Sequence, residues 1–176
     1  MQPYTIRLLT AADWDAWWRL RLRALADHPD AFGSDIDETL SAGEQASRER
    51  FAPKYKDARN QIFGAFTGEG TLVGVAGIVG NDRRKTRHRV YIWGVYVAPE
   101  VRGANLGHRL VAACIDHARQ IDGVLQIHLT VSSHNTVAVR LYERLGFTRY
   151  GREPRSLLLP DGTVVDEDLM VLLLDG

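Results

Sequence analysis

Apolar residues change their spacing repeatedly along this 176-residue chain, and each change predicts an element. Residues 4–9 read as a short strand. Thr10 with Asp13 makes a near capping box, after which Trp14, Trp18, Leu22 and Leu25 fall on one helical stripe. Pro29 and Gly33 break that helix. Residues 30–40 read as a loop carrying Asp35, Asp37 and Glu38, and Ser41 with Glu44 as a second capping box opening a helix towards Tyr55. Residues 61–67 and 72–79 read as strands paired across the turn "GEG" at 68–70, followed by a polar turn, "NDRRKTRH", at 81–88. The run 89–98, "RVYIWGVYVA", carries the strongest strand signal, ended by Pro99. From Leu106, apolar residues recur at 110, 111, 114, 115, 118 and 121, which is helical spacing. A strand at 125–131 follows, then a helix stopped by Gly146, then strands at 147–151 and 164–174 with "PDG" turning between them.

The order β-α-α-β-β-β-α-β-α-β-β has too many hairpins for a doubly wound sheet. It predicts an α/β (α+β) domain on a mixed, largely antiparallel sheet with helices on its faces, occupying residues 1–176 as one unit. Lys plus Arg equals Asp plus Glu, 22 each, which removes a global electrostatic case for nucleic acid or an anionic membrane. The single cysteine, Cys114, sits on an apolar helical stripe and reads as a buried thiol; one cysteine makes neither a disulfide nor a zinc site. The opening "MQPYTIRLLT" lacks the pattern of a secretory signal, and no apolar run reaches the roughly 18 residues a membrane helix needs, so a cytoplasmic protein is expected.

The stretch "VRGANLGHRL" at 101–110 places two glycines at a strand-to-helix junction. A helix start presents amides without intrahelical partners, and glycine lets an anion approach them closely, so the stretch is either a phosphate cradle or a plain tight turn. The nucleotide P-loop needs Lys and Ser/Thr after its last glycine, but His108 and Arg109 follow Gly107. The dinucleotide fingerprint needs a third glycine and a later acid, and both are missing.

Taken together, "VAPEVRGANLG" and the downstream block with Asn135, Ala138, Leu141, Tyr142, Gly146 and Phe147 resemble the GNAT superfamily of N-acetyltransferases over about residues 90–147. The first block is similar to that family's Arg/Gln-x-x-Gly-x-Gly/Ala acyl-CoA loop, with Asn105 in place of the usual middle glycine. Asn reaches positive φ more readily than most residues, so the loop conformation is compatible. The resemblance implies a sheet with splayed central strands, an acyl-CoA-binding core over about 89–151 and a variable acceptor side over about 1–60. It implies acetyl-CoA as donor, without a metal, and direct transfer to an amine of a small molecule or peptide. By the same resemblance, Val95, Tyr96, Val97, Arg102, Gly103, Ala104, Asn105, Leu106, Gly107, His108, Asn135 and Tyr142 contact the cofactor. A backbone amide at Val97 steadies the acetyl oxygen, and Tyr142 is the general acid.

The general base is not legible. Glu38, Asp35, Asp37, His128 and His134 are candidates, as is a water-mediated route. The acidic segment 35–38 would favour a cationic acceptor; its alternative is a solvated loop. The basic tract 83–89 lies at the start of the long strand, roughly 26 Å from the glycine loop at about 3.3 Å per residue, so it reads as a solvated turn. No nucleic-acid or membrane partner is expected, and monomer and homodimer both stay open. An acyl-CoA-binding regulatory module without turnover is the alternative reading.

Overall fold

The computed structural model describes residues 4–51 and 57–174. Seven strands form one sheet in the order β1-β2-β3-β4-β5-β7-β6: β1 (Thr5–Leu8), β2 (Asn60–Phe66), β3 (Leu72–Gly80), β4 (Arg89–Val97), β5 (Gln126–Ser132), β6 (Thr148–Leu158) and β7 (Val164–Leu173). Every neighbouring pair is antiparallel except β4 with β5. Residues 72–78 of β3 are all buried, as befits a strand covered on both faces. On one face lies α4 (Leu106–Arg119), whose buried stripe of Leu106, Leu110, Val111, Cys114, Ile115 and Ala118 follows the predicted spacing. Leu110 meets Gly74 there, while three residues on, Gly77 lies under the Trp93 ring on the opposite face. That second face is packed by α1 (Trp14–Asp27). Its buried residues are Trp14, Trp17, Leu20, Ala24 and Leu25, so the core-facing stripe is rotated from the predicted one: Trp18 and Leu22 are only partly buried.

Three elements differ from the sequence reading. Residues 30–40 are not a loop throughout: Pro29–Ala31 is a 3-10 turn, and α2 (Ile36–Ala42) starts where the Asp35 carboxylate accepts from the amides of Asp37 and Glu38. Ser41 therefore lies inside α2 rather than capping the next helix. Gly43, at φ 86, separates α2 from α3 (Glu44–Phe51), and the Glu44 carboxylate accepts from Trp14 Nε1 at 3.1 Å. The predicted extension to Tyr55 falls outside the described residues. Finally, β6 runs to Leu158 rather than stopping at 151. It is an edge strand, where Pro154 removes no needed hydrogen bond; one register shift lies at Arg149/Gly151, and a second, between Glu153 and Leu157, absorbs the irregular segment around Arg155. Among the described residues no helix is long and apolar enough to cross a membrane.

Candidate active site

The parallel strands β4 and β5 pair only through Arg89–Tyr91 and Gln126–His128. Beyond Tyr91 they part, so the cleft-facing edge of β4 has no strand partner among the described residues. On its other edge β4 bulges, since Gly94 and Val95 together oppose the single residue Ala76, and Gly94 takes φ 63. The resulting cleft holds about 120 Å³. Its walls bring together Trp93, Gly94 and Val95 of β4, Thr130 and Ser132 of β5, Phe32, and Asn135, Leu141 and Tyr142 of α5 (Thr136–Arg144) and its cap. Across the opening, the 3-10 turn before α2 is tied to the far strand: the Asp30 carbonyl accepts from Ser132 Oγ, and His134 Nε2 meets the Asp30 carboxylate at 2.7 Å.

Tyr142 is buried because α5 ends in a Gly146 turn at φ 91, where the amide of Phe147 donates to the Tyr142 carbonyl at 3.1 Å. The Phe147 ring then packs edge-on against Tyr142, with centroids 6.0 Å apart. Burial pushes the Tyr142 hydroxyl well above the usual phenol range, so it stays protonated at neutral pH. Leu141, its neighbour, fills the other side of the helix, where its Cδ1 comes within 3.1 Å of the position a Cβ on Gly107 would take. Gly107 thus lets α4 and α5 approach closely. Cys114 is wholly buried, and burial drives its pKa up and keeps it a thiol.

The glycine loop leads into this same N-terminal end of α4. After β4, a 3-10 turn at Pro99–Val101 leads to Gly103 at φ 90, with open space around it, and to Asn105 at φ 58. Asn105 makes no side-chain cap, and the first helical amide with a backbone acceptor among the described residues is that of Arg109, which donates to the Asn105 carbonyl at 3.2 Å. The amides of Leu106, Gly107 and His108 therefore face outward with the positive end of a 14-residue helix behind them. This donor set fits a diphosphate. Arg102 leans back onto His28 Nε2 at 2.8 Å, and Ala104 donates from its backbone to Val101.

The remaining sequence-predicted residues fall in several places. Val95, Asn135 and Tyr142 line the cleft. Tyr96 is buried beside it, its hydroxyl donating to Asp27 at 2.7 Å, and desolvation followed by that carboxylate pushes its pKa up to about 12. Val97 packs its side chain against Gly74 and Gly107. Glu38 and Asp37 stand exposed on the first turn of α2, outside the cleft lining, and Asp35 caps that helix. His128 stacks among Tyr91 and Tyr150 on the sheet surface. Among the described residues, no group of three or more His, Cys, Asp or Glu side chains could hold a metal ion. Sequence reasoning missed the Gly94 bulge, for which an isolated glycine inside a strand run was the available signal, and the partly buried Arg21 beside it.

A profile of the "Acetyltransferase (GNAT) family" matches residues 17–147. The mycothiol acetyltransferase of Thermobispora bispora is 38% identical over 157 residues, covering 84% of this chain and 48% of that protein. The mycothiol acetyltransferase of Salinispora tropica is 35% identical, covering 79% of this chain and 42% of the relative. The chain thus spans somewhat under half the length of these curated relatives. Among solved structures, a GCN5-related N-acetyltransferase from Kribbella flavida superposes with a TM-score of 0.78 at 25% identity, covering 97% and 98% of the two chains. The yncA protein of Salmonella typhimurium, described with its cofactor acetyl-CoA, gives 0.74 at 26% identity, covering 99% and 95%.

Proposed function

Because the chain belongs to the acetyltransferase (GNAT) family, we propose that it transfers an acetyl group from acetyl-CoA directly to the primary amine of a small molecule or peptide. The carrying observation is the convergence of Val95, Asn135 and Tyr142 on one cleft, with the outward amides that suit a diphosphate at the start of α4, where Gly107 packs against Leu141 of the cleft lining. Bound acetyl-CoA supplies the activated acyl group. The amides of Leu106, Gly107 and His108 hold its diphosphate, with Gly103, Asn105, Ala104 and Arg102 shaping the loop. The parted edge of β4, from Val95 to Val97, offers backbone donors for an acyl oxygen; an aligned donor in a dry site is worth a few kcal/mol to the transition state.

Tyr142 Oη is the proton source for the departing sulfur. Burial keeps this hydroxyl protonated, so it can donate to the sulfur as negative charge develops there and give it the proton as the thiol departs. No carboxylate or imidazole lines the cleft among the described residues. This supports a water-mediated route for the amine proton, with Thr130 and Ser132 as polar contacts, over a direct role for exposed Glu38.

Mixing the protein with acetyl-CoA and a panel of amines, with free thiol as the readout, tests the reading. Amine-dependent thiol release is expected. Binding of coenzyme A without thiol release from any amine would leave an acyl-CoA-binding module instead. No rise in melting temperature with coenzyme A would remove the cofactor site altogether.

A further inference from the structure

A positive charge stands behind the wall of the cleft that faces α1. Arg21, on the inner side of α1, is partly buried, and its Nη1 lies 3.8 Å from where a Cβ on Gly94 would be. Its guanidinium stands 5.1 Å from the centre of the Phe32 ring and 6.0 Å from that of Trp93. Phe32, Trp93 and Gly94 all line the cleft. Several other arginines are engaged by acids: Arg7 by Asp13, Arg23 by Glu100 and Asp27, Arg149 and Arg152 by Asp168. Arg21 makes no hydrogen bond or ion pair among the described residues. A partly desolvated guanidinium set against ring faces, with no acid paired to it among the described residues, is costly unless an anion joins it.

We propose that Arg21 binds a carboxylate on the acceptor, so that the amine acetylated belongs to an amino-acid-like molecule with its carboxylate a few bonds from the nitrogen. The planar fork of arginine matches a carboxylate's two oxygens. Gly94 leaves room for that approach, because a side chain there would stand against the guanidinium. The acids of the α2 segment do not compete for this role: Asp35 is committed to capping, and Asp37 and Glu38 lie outside the lining. This assignment rests on the transferase reading above and deepens it.

The test pairs L-amino acids with their own α-amides as acceptors, again with free thiol as the readout. The amides carry the less basic, more readily deprotonated amines, so without Arg21 they should react at least as fast. In the wild-type protein, kcat/KM for the acids is expected to exceed that for the amides by about tenfold or more. In Arg21→Gln and Arg21→Met the ratio should collapse towards one, chiefly through KM for the acids, with Arg21→Lys in between. Taking the ratio within each preparation cancels any loss of folded protein. Acids no better than amides in the wild type, or a ratio unmoved in Arg21→Gln, would overturn the assignment while leaving the transferase intact. Thiol release from no amine at all, with coenzyme A still bound, would overturn the transferase reading and this assignment with it.

Discussion

Helix α4 begins after Asn105, held at φ 58 with a side chain that caps nothing, whereas α5 begins after Asn135, whose carboxamide accepts from the Ala138 amide at 3.1 Å. The same residue type thus opens both helices to opposite effect. At α5 the side chain satisfies an orphan amide internally, and the same residue lines the cleft. At α4 the left-handed turn aims the backbone but leaves the first amides uncommitted, which is what an anion needs. On the proposed reading α4 would serve a ligand through its main chain and α5 through its side chains, and substitutions at the two helices should therefore fail differently.

The largest effect is expected on α5. Tyr142→Phe should lower turnover tenfold or more, while coenzyme A affinity by calorimetry stays within about twofold. Equal losses in both would mean that the hydroxyl merely holds the helix in place. On α4 the backbone is the target. Asn105→Val forces a β-branched residue to φ 58 at a cost of about 1–2 kcal/mol, and should weaken coenzyme A binding by roughly tenfold. Asn105→Gly, free of that strain, should bind within about twofold of wild type. If both substitutions bind alike, the left-handed start is not what orients the amides.

The α4–α5 side of the site was largely legible in the sequence because it rests on local signals: two glycines, an asparagine tolerant of positive φ, an unbroken apolar stripe and a glycine helix stop. The acceptor side was not. Helix α2 carries Ile36 and Leu40 but no sustained stripe, and its cap lies inside an acidic run that resembles a solvated loop. Arg21 sits among Arg19 and Arg23 in "RLRLR", and only the rotation of α1 about its axis, fixed by tertiary packing of Trp17 and Ala24, distinguishes it. The parting of β4 from β5 is a pairing property, invisible to any window along one strand, and was implied by family resemblance alone. The edge strand β6 hid its length behind Pro154, which breaks a strand pattern in sequence yet does little harm at a sheet edge.

A milder effect should follow at the start of α5. Asn135→Ala removes its cap and should cost about 1 kcal/mol, read as a fall of about 2–4 °C in melting temperature. A larger loss of turnover than of stability would show that its carboxamide also serves the cleft.

The smallest effect belongs to the entry into α1, the one of these helix starts built on a titratable group. Asp13 accepts from the Thr10 amide at 2.8 Å and pairs with Arg7 at 2.8 Å. The Arg7 hydrogen bond, more than the Thr10 contacts, lowers its pKa to about 2. A carboxylate depressed on folding adds stability above its unfolded pKa, near 4, and loses it as pH falls towards 2. Because Arg7 is largely solvated, the contribution should stay below about 1 kcal/mol. The melting-temperature gap between wild type and Asp13→Asn should therefore be no more than about 3 °C at pH 6 and shrink as the pH drops from about 5 to 2. Neither asparagine titrates, so the gap between wild type and Asn135→Ala should stay constant over the same range. If both gaps closed together, acid would be loosening the whole fold, and α1's start would not be electrostatically distinct from the other two.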